Sequence, residues 1–474
     1  MSTSGKPLSL HEDRLFASDP IQRDIARRLY AQVGGLPIIS PHGHTDPEWF
    51  AGNAPFANAT ELLLVPDHYV FRMLYSQGVS LDALGIPHAD GRRAAVDPRE
   101  AWRVFARHFH LFRGTPSSLW LNHVFHEVFG LRVRLDASTA DLHYDTITDA
   151  LATPGFRPRA LFKRFNIEVI ATTEGPLDSL EHHQAIRDSG WGGRVLTTYR
   201  PDAVIDPEHE DFAESLQRFG ALTGEDVHSW EGYLRAHRNR RDFFIGMGAT
   251  STDHGHESAL TADLSPARAR ALFDKIVRGD FDAAEAALFR GQMLTEMAAM
   301  SLDDGLVMQL HPGCYRNHNP TLFARHGRNV GADLPLSTDY VRDLKPLLDR
   351  FGNEADFRLI LFTLDESSYS RELGPMAGHY PSLALGPAWW FHDAPEGMWR
   401  FREQTLSTAG FYNTVGFNDD TRAFLSIPAR HDVARRIDCA VLAKLVAEHR
   451  LDEDEAAELA VDLVYHLPKQ AYKL

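Results

Sequence analysis

Cysteine is almost missing from this chain: Cys314 and Cys439 are the only two in 474 residues. Two thiols exclude a disulfide framework and a cysteine-rich zinc site, and they suit a reducing compartment. Any bound metal must therefore draw on histidine and carboxylate. Runs of positive charge are missing too. No five consecutive Lys or Arg occur, and 49 basic against 65 acidic residues leave a net charge of −16. Nucleic acid and anionic membrane surfaces are thereby disfavoured as partners. No stretch of 18 apolar residues exists, so no membrane span is predicted. Met1 to Arg14 lacks a continuous apolar segment, so no signal peptide is read and a cytoplasmic location is expected. No phosphate-binding loop, dinucleotide fingerprint, internal repeat or low-complexity segment is found.

What is present is a large apolar fraction, 43%, enough for a sizeable core. Eight short segments rich in β-branched or aromatic residues read as buried strands: Leu36–Ser40, Asn166–Thr173, Arg194–Arg200, Phe243–Asp253, Leu306–Gly313, Phe357–Asp365, Ser382–Trp390 and Tyr412–Asp420. Stretches of helical character lie between most of them or follow the last, among them Pro176–Asp188, Pro266–Met300 and Ala429–His449. Strand alternating with helix implies parallel pairing, and eight units predict an α/β fold, a (β/α)₈ TIM-like barrel. One interval breaks the rhythm. About 125 residues separate the first two strands, and Phe56–Val79 and Pro98–Arg132 read as helical. The expected division is a barrel from residues 1–55 and 156–474, with a helical insertion over 56–155. The insertion's aromatic stripe (Trp102, Phe105, Phe109, Phe112, Trp120, Phe125, Phe129) reads as core packing.

The first strand runs into Pro41-His42-Gly43-His44. An i, i+2 spacing places both imidazoles on one face of an extended chain, a natural seat for a divalent metal such as zinc. The plain alternative is a loop with two unrelated histidines, in a chain that has 25. Barrel active sites gather at the C-terminal ends of the strands. Here those ends are polar: Thr172-Thr173-Glu174, Tyr199-Arg200-Pro201-Asp202, Ser251-Thr252-Asp253-His254, Gln309-Leu310-His311 and Asp419-Asp420-Thr421-Arg422.

His-x-His on the first strand, histidine on later strands and aspartate on the eighth form the amidohydrolase-superfamily pattern. Within it the chain resembles the uronate (glucuronate) isomerase family. The resemblance rests on Pro66-Asp67-His68-Tyr69-Val70-Phe71-Arg72, Thr172–Pro176, Tyr199–Asp202, Gln309–His311, Arg316-Asn317, Trp389-Trp390-Phe391 and Asp420–Arg422, which occur in that family's order. The chain departs from the family pattern at His-Gly-His-Thr-Asp-Pro, at Thr-Thr-Glu-Gly-Pro, and at the doubled Asp419-Asp420, where the spacing to Arg422 selects Asp420. No lysine ends the fourth strand, which favours one metal over two.

The resemblance implies a small-molecule hexuronate substrate, D-glucuronate or D-galacturonate, converted to D-fructuronate or D-tagaturonate through an enediol. It implies one divalent metal, zinc being expected, on His42, His44 and Asp420, with His254 as a weaker ligand. Asp420 and Tyr69 are the candidates for moving protons. A tyrosine acting as base near neutrality needs a neighbouring cation, for which Arg422 or His68 is available. Arg200, Arg316, Arg422 and Arg72 are candidates for holding the substrate carboxylate. Trp389 or Trp390 would wall the sugar ring, and His311 would touch the metal or a hydroxyl. Assembly into a homo-oligomer is expected by analogy alone. The competing readings are a metal-dependent hydrolase or decarboxylase on the same barrel, and a sugar-acid-binding protein without turnover.

Overall fold

The computed structural model describes residues 5–474; Met1 to Ser4, part of the segment read for a signal peptide, lie outside the described residues. Seven strands form one parallel sheet in chain order: β1 (Ile38–Ser40), β2 (Ile167–Glu174), β3 (Arg194–Tyr199), β4 (Ser251–His254), β5 (Val307–Leu310), β6 (Leu359–Leu361) and β7 (Leu383–Leu385). Each neighbour is parallel, and helices cover the crossovers. This is an α/β, TIM-like architecture. Five of the seven strands are fully buried, and β2 and β3 are buried over most of their length, as a sheet covered on both faces requires.

Two of the eight expected strands differ from expectation. The eighth, Tyr412–Asp420, is not a ladder but a single bridge, Leu385 to Thr414, supported by Val415 N–H donating to Leu385 O at 3.0 Å. Positive φ at Gly416 (74°) and Asp420 (38°) bends this segment away from extended pairing. At its far end the His44 N–H donates to Thr421 O at 3.0 Å, so the segment still joins the exit of β1. The fourth strand begins later than expected. Residues from Phe243 belong to the helix Trp230–Gly246, N-capped by Ser229, and only Ser251–His254 is extended.

Between β1 and β2 lie seven α-helices, from Pro47–Gly52 to Pro158–Arg164. The helical reading of 56–79 divides at Pro66 into Ala59–Leu63 and His68–Tyr75, the second capped by the Asp67 carboxylate. The aromatic stripe is buried throughout, and most of it shares one apolar cluster with Ile38, Ile167 and Phe424. Among the described residues no helix is long and apolar enough to cross a membrane.

Candidate active site

The strand exits converge on a cavity of about 400 Å³. β1 stops at Ser40, and His42 and His44 follow it with their rings edge to face, centroids 5.4 Å apart. Both address one carboxylate. Asp420 Oδ1 lies 3.6 Å from His42 Nε2 and 3.1 Å from His44 Nε2, while Trp389 Nε1 donates to Asp420 Oδ2 at 2.5 Å. The preceding Asp419 faces the other way and accepts from His431 Nε2 at 3.0 Å. Burial works to raise the Asp420 carboxyl, but His42, His44 and His311 outweigh it and hold it well below the usual carboxylate range. Burial pushes His42 down to about 4, so its ring is neutral near pH 7.

His311, at the end of β5, stacks on His42 at 4.7 Å and on Phe362 at 3.8 Å. Its Nδ1 is 2.6 Å from Asp253 Oδ1, which fixes the ring, while its Nε2 is buried without a hydrogen-bond partner. His42, His311 and Asp420 place one donor atom each within 4.8 Å of one another. A neutral imidazole, an oriented imidazole with a free nitrogen and an ionised carboxylate fit a divalent cation. His44 stands alongside through Asp420. His254 does not join this group: it is buried at the end of β4 beside Asp202 and His256.

The expected arginines separate. Arg200, Arg316 and Arg422 line the cavity, whereas Arg72 lies outside it and stacks on Phe391 at 4.9 Å. Arg200 pairs with Asp202 (2.8 Å) and Asp253 (3.0 Å), and Arg316 with Asp333 (3.0 Å). Arg422, half-buried beside Asp420, forms no ion pair or side-chain hydrogen bond among the described residues. Trp389 and Trp390 both line the cavity; Trp389 is the more buried and Trp390 stacks on His68 at 5.4 Å.

Tyr69 is held differently from a base. Its hydroxyl donates to Asp393 Oδ2 at 2.9 Å, and burial with the Asp393 charge keeps the phenol well above its ordinary value. Nor does His68 supply a cation: burial, with Arg422 and Arg430 nearby, pushes it down to about 3. The cation next to Tyr69 is Arg430, which donates to Asp393 Oδ2 at 2.7 Å and lies 3.5 Å over the Trp120 ring. Sequence reasoning did not single out Arg430 or Asp393, and it named Asp253 only as part of a polar strand exit, without a role. Arg430 sits in the long helix Ile427–Ala447 among ordinary helix charges, and no local motif marks it. Glu174, at the end of β2, also lines the cavity, and burial raises its carboxyl to about 7.

The sequence pattern of the glucuronate isomerase family matches residues 15–472. A uronate isomerase of Xanthomonas campestris pv. campestris (strain B100) is 78% identical over 468 residues, covering 99% of each chain. The crystal structure of glucuronate isomerase from Caulobacter crescentus superposes with a TM-score of 0.98 at 68% identity, covering 99% of this chain and 98% of that one. That of a uronate isomerase from Thermotoga maritima superposes with a TM-score of 0.91 at 27% identity, covering 98% and 99%.

Proposed function

The chain belongs to the glucuronate isomerase family and is an aldose–ketose isomerase of uronates; we propose that Asp420 moves the proton between C2 and C1 while the cavity arginines hold the charge. The substrates would be D-glucuronate and D-galacturonate, and the products D-fructuronate and D-tagaturonate. The observation that carries this reading is Asp420 itself. It is an ionised carboxylate held from both oxygens, at the floor of a cavity into which the unpaired Arg422 projects positive charge.

Asp420 accepts the C2 proton on a carboxylate oxygen and returns it to C1 from the same group, which suits a carboxylate fixed by Trp389 and His44, while the O2 hydroxyl proton passes to the adjacent O1 within the bound sugar. Arg422 is free to stabilise negative charge as it develops on the substrate, and pre-positioned charge of this kind is the usual large term. Arg316 and Arg200, each already paired, present their remaining N–H groups to the substrate carboxylate. Tyr69 keeps its proton, which it donates to Asp393, and its hydroxyl oxygen is left to accept from a sugar O–H, with Asp393 and Arg430 fixing its position. Trp390 walls the ring. His42, His311 and Asp420, with His44 alongside, would hold one divalent metal, for which zinc suits the nitrogen and oxygen donors. When bound it would supply positive charge against the substrate's oxygens.

The test is incubation with each hexuronate in D₂O, followed by NMR, with and without a chelator. Ketose is the expected product, and deuterium at C1 reports exchange of the transferred proton with solvent. Absence of ketose from both hexuronates at high enzyme concentration overturns the substrate and reaction together. Carbon dioxide or a hydrolysed amide in its place would point to the hydrolase or decarboxylase chemistry, which family membership does not favour.

A further inference from the structure

Beside the catalytic cavity, two buried imidazole nitrogens have no hydrogen-bond partner among the described residues. His254 meets Thr252 Oγ1 through Nε2 at 3.1 Å, and its Nδ1 is buried without a partner. Two residues on, His256 Nε2 is buried and equally unpartnered. The two side chains are 0% and 6% exposed, so bulk water does not reach them freely. A buried polar atom left unsatisfied costs about 1–3 kcal/mol, and two in adjacent rings call for a common explanation.

A third donor completes the group. Asp202, His254 and His256 each place one ligand atom within 4.8 Å of the others. Burial lowers the pKa of both histidines, so each ring is neutral and offers a lone pair. The local charge is unbalanced in the same direction. Arg200 is shared between two carboxylates, Asp202 at 2.8 Å and Asp253 at 3.0 Å, which leaves one negative charge in excess. The nearby Asp206 is already matched by Arg290 at 2.7 Å. Asp202 and Gly255 line the cavity, so an ion has a route in from solvent. Two nitrogens and one carboxylate oxygen form a donor set of the zinc and cobalt class and not of the calcium class.

We propose that Asp202, His254 and His256 form a second divalent-cation site, separate from the group at His42, His311 and Asp420. A single water in this place would satisfy the nitrogens but leave the excess charge. The site does not depend on the isomerase assignment, because its occupancy can be read without turnover. It also revises the expectation of one metal, which rested on the missing lysine at the fourth strand: this site bridges nothing and needs no lysine.

The experiment counts ions. Untagged protein is stripped with a chelator, titrated with Co²⁺ or Zn²⁺ near pH 7.5, and assayed for bound metal by mass spectrometry. The His256→Leu variant is expected to bind one equivalent fewer than the unaltered chain, with an unchanged far-ultraviolet circular dichroism spectrum. Equal stoichiometry in a folded His256→Leu protein overturns the proposal. If that variant does not fold, zinc-soaked crystals of the unaltered chain decide the matter. An anomalous peak among Asp202, His254 and His256 is expected, and its absence, with water in the density, overturns the site.

Discussion

Asp420 holds a left-handed backbone conformation, φ 38°, which non-glycine residues adopt at a cost of about 1–2 kcal/mol. That turn presents its carboxylate to His42 and His44, while Asp419 faces His431. Asp420→Asn should therefore lower turnover by about 10²–10⁴, the range of general acid–base catalysis, and weaken metal retention. Steady-state rates and metal content measured in one sample check this, and activity within tenfold would remove Asp420 from the role. Glu174 supports a prediction of opposite kind. Its carboxyl is raised from 4.5 to about 7 by burial, so the folded chain binds a proton there that the unfolded chain has lost. For a raised acid, that stabilisation is complete below about pH 4.5 and is lost as pH rises through about 7. Glu174→Gln cannot lose it. The variant should match the unaltered chain near pH 5 and exceed it at pH 8, by an amount of order 3 kcal/mol. Thermal unfolding at the two pH values reads this out, and a gap that does not widen with pH refutes the assignment.

Elements show what was legible and why. The alternation of strand and helix, and the gathering of polar residues at strand exits, follow from parallel pairing, which puts all C-terminal ends on one side. Asp420, His311, Arg200, Arg316 and Arg422 stand out that way, and all five line one cavity. Failures arose where a local signal had two readings or none. Phe243-Phe244-Ile245 is an apolar run too short to separate strand from helix by period, and the helix Trp230–Gly246 claims it. The eighth segment looks extended by composition, but Gly416 and Asp420 turn it. Arg430 acts through Asp393, 37 positions away, so no window of sequence shows it, and Asp253 shows only as a polar strand exit because its partner His311 lies 58 positions away. The helix misread as a strand also carries a clamp. Arg241, fully buried, holds Asp304 (2.6 and 2.9 Å) and Ser301 (2.9 Å) on the helix Ala283–Asp304 behind β5. Arg241→Met should cost about 3 kcal/mol, the lower end for a broken buried pair because Asp304 retains some water contact. A guanidinium unfolding midpoint unchanged by the substitution would show the clamp to be dispensable.

At the scale of the whole molecule, an enzyme of net charge −16 binds an anionic sugar acid. The global field repels the substrate and the unpaired Arg422 in the cavity attracts it, so range decides which wins. In 0.1 M salt, exposed charges are screened beyond about 10 Å, so acidic residues spread over the surface contribute little near the binding site. Arg422 lines the cavity with no carboxylate partner among the described residues and lies within that range, whereas Arg200 is matched by Asp202 and Asp253 and Arg316 by Asp333. Being partly withdrawn from water, Arg422 is screened less than surface groups. Attraction should therefore dominate at the point of capture, with the acidic surface slowing approach only at low ionic strength. Two regimes follow. From about 0.01 M salt, where the screening length is near 30 Å, to about 0.1 M, kcat/KM for hexuronate should hold or rise as long-range repulsion is removed. Above that, toward 1 M, it should fall as salt competes with the arginines for the carboxylate. Replacing Arg422 by methionine should flatten the high-salt fall, because, of the arginines that line the cavity, it is the one with no carboxylate partner among the described residues and is most open to competition. A kcat/KM that rises monotonically to 1 M would mean that the acidic surface, and not the cavity, governs capture.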